Sequence, residues 1–554
     1  MKIEFDTAFD RDYPLYTRAN AGEVFPEILS PLTWSLVGAG AETGFRHSFV
    51  NDFAAIRVPD KPWFMIGRFA GRFHLNMSVI RTVAQRLPGT SAAAADLQYF
   101  GNAAGHGLPP HTPSSMDWLW ALRAAPSTIR TRVMLGQRVV ESTKQIDAAV
   151  ARNQAFLASS PSDTALVSRL GLLRRAYANP FGLHVTNRAL TSSALAIATA
   201  ALKRRGLTDG EALMMLSNVP NVESAKPSRA LRAIAESVGS KPPCARPLRA
   251  LVSSGASLAE LTESTVVGAP ELASQLRRFQ REFGHRAVNE FDPTYPAWEQ
   301  HPEAVLTMLR TLLRENRPAA PDLGLPAAGK QGRTQESRLD PVTSVLVANA
   351  QRAVYRAEIT KNNMVRFTHE LRRLIFALGA RWSGRLSRDE LTLLTLDELT
   401  AVANGQQPPR EVMARRRAEL DAAAEIEPAV WSYGSLRVRQ TEAAGKPDEV
   451  VGVPGSVGIA RGRVRVCHDP LGDFEPGEVL VAKITDTAWT PVFVAAAAVV
   501  TDIGSVLSHA TIVARELGIP AVVDTKVGTV ELTDGDLVEV DGGAGVVRIL
   551  DRGN

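Results

Sequence analysis

Residues 501–523, TDIGSVLSHATIVARELGIPAVV, place a single histidine, His509, between a glycine-bearing loop and a helix start. The run before it, AAAAVVTD, is nearly continuous in apolar residues, as in a strand buried on both faces. The run from Ala510 to Leu517 reads as a helix, so the local order is strand, loop, helix N-terminus. The first turn of a helix carries unpaired amides and a partial positive charge, which favour bound phosphate. Gly504 has no Cβ to hold a phosphate away from the loop backbone, and Ser508 stands where a helix cap belongs. An imidazole with an ordinary pKa of about 6.5 is mostly neutral at pH 7 and can attack a phosphoryl group. By spacing alone, a single histidine at a helix start is more often a cap or a polar contact than a catalyst. No G-x-S-x-G surrounds Ser505, which argues against a Ser505/His509 hydrolase. No second His or Cys lies at i+3 or i+4 and His468 is remote, so no metal site is expected.

A second polar group lies upstream, where His285, Arg286 and Glu290 crowd into eight residues, GHRAVNEF. In a buried site they would serve phosphate and proton transfer; as an ionic network they would be structural.

The elements that must position these groups fall into two regions. From about Met116 to Val430 the period is helical: Phe367, Leu371, Leu374 and Leu378 share one face, and Thr395 to Glu398 form a capping box with Gly405 as the stop. Residues 317–341, rich in Pro, Gly and charge, read as a mobile loop. After residue 445 short strands take over: GRVRVCHD, GEVLVAKI, AAAAVVTD, IPAVVDT, DLVEVDGG and GVVRIL, with one helix at Ala510–Leu517. The expected architecture is multidomain, with a mainly α-helical region over 1–432, a hinge within 433–450 and an α/β module over 451–554.

Composition sets the limits. The 554 residues are 45% hydrophobic and 22% charged, which disfavours disorder. A net charge of +5 over this length is no footprint for nucleic acid. Two cysteines, Cys244 and Cys467, suit a reducing compartment, and the acidic N-terminus lacks a signal-peptide pattern, so a cytoplasmic location is expected. The longest apolar runs fall well short of the roughly 20 residues that span a bilayer.

Residues 452–547, carrying PGSVGIARGRVRV, GEVLVAKITDTAWTPVF, the His509 stretch and DGDLVEVDGGAGVV, resemble the mobile phosphohistidine domain of PEP-utilising enzymes. That family includes phosphoenolpyruvate synthase, pyruvate phosphate dikinase and rifampicin phosphotransferase. The resemblance implies a swivelling α/β domain whose phosphoryl carrier is His509, with Gly504, Ser505, Ser508, Thr511 and Arg515 supporting the phosphate loop. Ser505 and Ala498 stand where the family commonly shows glycine.

The helical part carries YTRANAGEVFPEILSPLTWSLV, GRFHLNMSVIRTVAQRLPG and FGHRAVNEFDPTYPAWEQHPE, and resembles the acceptor-binding region of rifampicin phosphotransferase-like enzymes. On that resemblance the region binds a small hydroxyl-bearing acceptor, with Lys361, Glu358, His285, Arg286 and Glu290 as acceptor-side candidates. The family's R-E-x-x-K element reads Ala357-Glu358-Ile-Thr-Lys361 here; Arg356 is adjacent but about 100° away around a helix. No G-x-x-x-x-G-K-[ST] loop occurs. The arrangement is also similar to the histidine-bearing subunit of phenylphosphate synthase. It implies Mg-ATP supplied through a separate ATP-grasp subunit and no cofactor on this chain. A binding or regulatory protein that keeps the swivelling domain without phosphotransfer is the alternative.

Overall fold

The structure is a computed structural model. It describes residues 3–100, 107–207, scattered positions between 212 and 224, and 226–239, 245–314, 339–438, 448–468, 474–485, 489–504 and 508–553. Ser505, most of the 317–341 loop and residues 439–447 of the hinge lie outside the described residues. The chain divides into two compact units: 1–216 with 291–295 and 339–441, and 217–290 with 296–338 and 442–554.

In the first unit the 42-residue helix Pro341–Trp382 starts on Asp340, which accepts from the amides of Val342 and Thr343, with proline at the first helical position. Phe367, Leu371, Leu374 and Leu378 are buried in the main core with Leu170, Leu173 and Tyr177 from neighbouring helices, as their offsets demand. The helix Ala178–Lys203 packs against this long helix and against Ala39–Arg46. Gly44 and Gly182 permit that second approach: a Cβ on Gly44 would stand 2.9 Å from the amide nitrogen of Gly182. Thr395 and Glu398 form the capping box, and Gly405 ends that segment at φ +95°.

An antiparallel sheet unforeseen in the sequence completes this unit, in the order Ile66–Phe69, Arg72–Asn76, Leu15–Thr17, Trp431–Tyr433. Trp431, where the residue pattern changes, therefore begins a return to the N-terminal strand, with Leu15 opposite Tyr433. Strands of three to five residues pairing across 400 positions leave little periodicity to read.

In the second unit, the amphipathic helices Lys226–Gly239, Ala245–Ser253, Ala269–Phe283 and Pro302–Arg314 enclose a core of their own around Leu272, Leu276, Phe279, Trp298 and Leu309. Val494 of the C-terminal module is buried in that core. The expected single helical region over 1–432 is thus corrected: its middle clusters with the module, because these helices close their apolar faces on one another and on Val494.

The module carries an eight-stranded sheet in the order Glu449–Val451, Val546–Asp551, Leu537–Asp541, Ile459–Cys467, Val479–Ala482, Ala498–Thr501, Ala521–Val523, Val453–Ser456. The four strands from Ile459–Cys467 to Ala521–Val523 are parallel. The last three of these are buried throughout, which accounts for their unbroken apolar character. Two expectations need correction. The strand begins at Ala498, because Thr490–Ala495 is a helix opened by Pro491 and the chain turns extended only at Ala496. Among the described residues the module also has three helices, the others being His509–Leu517 and Gly528–Glu531.

Candidate functional site

The loop before His509 leaves the buried strand Ala498–Thr501 and is fixed at its first residue. The carboxylate of Asp502 accepts from Thr525 Oγ1 at 2.9 Å, from the Thr529 amide at 3.2 Å and from the Thr529 hydroxyl. Its carbonyl accepts from the Lys526 amide, and the Ile503 amide donates to Lys483 O at 2.9 Å. At Gly504 a Cβ would sit 3.0 Å from Val523 Cβ and 3.1 Å from Thr501 Oγ1. The missing side chain therefore serves packing against the neighbouring strands, a role closer to hand than the phosphate approach expected of it. Ser508 holds the N-cap position at φ −69°, ψ 162°, but its hydroxyl points to Thr511 Oγ1 at 3.4 Å and makes no capping bond. The expected cap is thus absent as a hydrogen bond. Thr511 is fully buried.

His509 is the first residue of the nine-residue helix His509–Leu517, which ends on Gly518 in the left-handed region. Arg515, expected to support the phosphate loop, is six residues along that helix and donates from Nε to Gly455 O at 2.7 Å. Burial lowers its pKa to about 10. Sequence reading missed Asp502 and Asp524, which follow the ends of two adjacent parallel strands. Burial raises the Asp524 carboxyl to about 6, with Asp502 adding to the rise and Lys526 opposing it. Acids directly after two apolar strands were the available signal.

The first unit holds a cavity of about 140 Å³. Six phenylalanines (Phe25, Phe45, Phe49, Phe73, Phe181 and Phe291) line it together with aliphatic side chains such as Leu75, Ile80 and Leu87, and His184, Arg188, Gln98, Tyr99 and Ser192 supply polar groups. An apolar enclosure with a few convergent polar groups is the usual form of a small-molecule site. His184 Nδ1 lies 3.0 Å from Thr360 Oγ1, and burial together with Arg188 and Lys361 lowers its pKa to about 3. His184 and Arg188 were not singled out in the sequence, since an i, i+4 pair on a long helix has no distinguishing pattern.

Of the acceptor-side candidates, Lys361 stands near enough to His184 to depress its pKa, and Met364 one turn on lines the cavity. Ala357, one turn before, is buried on the same side. Arg356 faces elsewhere, with Nη1 3.9 Å from the Cβ position of Gly136, and burial, followed by Arg352 and Arg132, depresses its pKa. Glu358 is half-buried and forms no ion pair among the described residues. Arg286 and Glu290 pair at 3.0 Å, both buried, and Arg286 also donates to Glu223 O. With His285 they belong to the second unit, whereas Lys361 and Glu358 belong to the first.

Among the described residues no helix is long and apolar enough to cross a membrane. Residues 184–373 match the rifampicin phosphotransferase fourth domain, and residues 474–545 match the mobile domain of PEP-utilising enzymes. The chain is similar to an uncharacterised protein of Mycobacterium tuberculosis, at 28% identity over 582 residues covering 99% of this chain and 63% of that protein. It is similar to the prodigiosin synthesizing transferase PigC of Serratia marcescens, at 26% over 590 residues, 98% of this chain and 64% of PigC. The rifampicin phosphotransferase of Streptomyces sviceus is 27% identical over 305 residues, 51% of this chain and 35% of that enzyme. The chain thus spans a little under two thirds of the length of the relatives it matches from end to end.

Proposed function

We propose that this chain, a relative of the PEP-utilising phosphotransferases in both its helical and its α/β parts, is itself a phosphotransferase whose phosphoryl carrier is His509. The observation that carries the reading is the position of His509 at the first residue of a helix, beyond a buried parallel strand, inside the segment that matches the mobile domain. The helix amides and dipole favour the charge a phosphorylated imidazole acquires. The acceptor is a hydroxyl compound with a substantial apolar body, received in the phenylalanine-lined cavity of the helical unit. The donor is Mg-ATP held by an ATP-grasp partner, and the exchange takes place in the cytoplasm. Phosphoryl transfer depends almost wholly on positioning and charge stabilisation, and these 554 residues carry the carrier histidine without a P-loop.

Incubation with phosphoramidate, which phosphorylates histidine without any partner, is expected to give an acid-labile, base-stable phosphoryl label that His509→Ala abolishes. With ATP and magnesium alone the chain is expected to release no AMP. A second reading, a binding or regulatory protein that keeps the swivelling domain, draws on Ala357, which leaves Lys361 without an arginine one turn away on its own helix. Absence of label from phosphoramidate and from every ATP-grasp donor would favour it.

A further inference from the structure

The polar corner of the cavity has an internal logic that rests on three hydrogen bonds. Thr360 Oγ1 donates its one proton to the carbonyl of Ala357 at 3.0 Å. It can then only accept from its other neighbours, Asn187 Nδ2 at 3.4 Å and His184 Nδ1 at 3.0 Å. The proton of the neutral imidazole is therefore on Nδ1, and Nε2 carries a lone pair. His184 lines the cavity, and Nε2 has no hydrogen-bond partner among the described residues while not being sealed from it. The charged groups around it are Arg188, one turn along the same helix, and Lys361 from the facing helix Pro341–Trp382. Neither forms an ion pair with a carboxylate among the described residues. An open acceptor atom thus sits beside two uncompensated cations at one end of an aromatic enclosure.

We propose that His184 is a catalytic residue that reads the hydroxyl of an aromatic alcohol or phenol through Nε2, while Arg188 and Lys361 receive the phosphoryl oxygens. This rests on the phosphotransferase reading above and names the acceptor class. In the transfer the acceptor oxygen forms the O–P bond as the N–P bond of phosphorylated His509 breaks. The hydroxyl proton passes to His184 Nε2. The departing imidazole of His509 keeps the bonding electron pair and takes a proton from solvent, and His184 returns one, so the proton count is unchanged. Burial and the two cations lower the pKa of His184 to about 3 and hold it neutral. A phosphoryl dianion between the same two cations offsets their charge and raises the basicity of Nε2 as the reaction needs it.

The test uses 2-naphthol and naphthalene as probes and two variants chosen by shape. Asparagine at 184 keeps an N–H where Nδ1 is and holds Thr360, but offers nothing at Nε2. Glutamine offers an oxygen near Nε2 that accepts a hydrogen bond but takes no proton. Wild type is expected to bind 2-naphthol about five- to tenfold more tightly than naphthalene, as one buried hydrogen bond allows. His184→Asn should erase that preference and His184→Gln should keep it. Equal binding of the two probes by wild type, or a preference that survives His184→Asn, overturns the proposal. In single turnovers from phosphoramidate-loaded protein, His184→Gln should slow 2-naphthyl phosphate formation by about 10²–10⁴. Transfer at the wild-type rate would overturn the base role. If loaded wild type transfers nothing, the phosphotransferase reading fails, while the binding comparison still decides whether Nε2 reads a hydroxyl.

Discussion

The loop at His509 and the cavity at His184 place a histidine by opposite means. Around His509 the contacts that hold the backbone come from within some 30 residues: Asp502 takes hydrogen bonds from Thr525 and Thr529, and Gly504 fits against Thr501 and Val523. Around His184 the walls come from residues as far apart as Phe25, Tyr99, Phe291 and Met364. On the proposed reading, a carrier that presents one atom to several partners needs only local contacts, whereas recognition of an acceptor needs walls drawn from several elements. Damage to the loop should therefore alter chemistry, and damage to the cavity should alter both stability and choice of acceptor.

The largest effect that would sharpen this contrast comes from Phe181→Ala, which removes a buried ring from the cavity wall and the core. It should destabilise the helical unit by about 3–5 kcal/mol in urea denaturation, while the phosphoramidate label on His509 persists. Loss of the label as well would mean that the two regions are not independent.

Next in size is Lys361→Ala. Removing one electrostatic donor should slow transfer to the acceptor by about 10²–10³ and leave labelling of His509 intact. Arg356→Ala, on the face turned toward Gly136, should change transfer less than about twofold. Equal losses in the two variants would show that the helix does not present Lys361 selectively.

A smaller effect tests the loop through pH. The Asp524 carboxyl is held at about 6 when folded, above its ordinary 3.8, so folding favours its protonated form. The contribution of this residue should be full below about pH 4 and lost as pH rises through about 6. Asp524→Asn should raise the Tm at pH 7 and make no difference near pH 3.5. A gain of the same size at both pH values would place the cause elsewhere than in ionisation.

The smallest effect is a control far from either histidine. Thr395→Ala deletes one side of the capping box of Leu396–Ala403 and should cost about 1 kcal/mol in chemical denaturation without altering labelling or transfer. A change in transfer rate would connect this cap to the chemistry and blur the contrast.

Sequence alone was enough to locate His509, a buried strand ending just before its loop and the helix after it. It also marked the capping box at Thr395 and the apolar face through Phe367 and Leu378, since these features are local patterns of residue type and period. Tertiary structure decided what depends on distant parts of the chain. It brought Trp431 back beside Leu15, placed helices 226–314 with the module through Val494, and turned Ser508 toward Thr511 and Arg515 toward Gly455. It also set His184 within the fields of Arg188 and Lys361, with Thr360 fixing its proton. The reason is physical: helix and strand period are dictated by neighbours three or four residues away, but a cavity, a tautomer or a shifted pKa is the sum of fields and contacts from groups that only packing brings within a few ångströms.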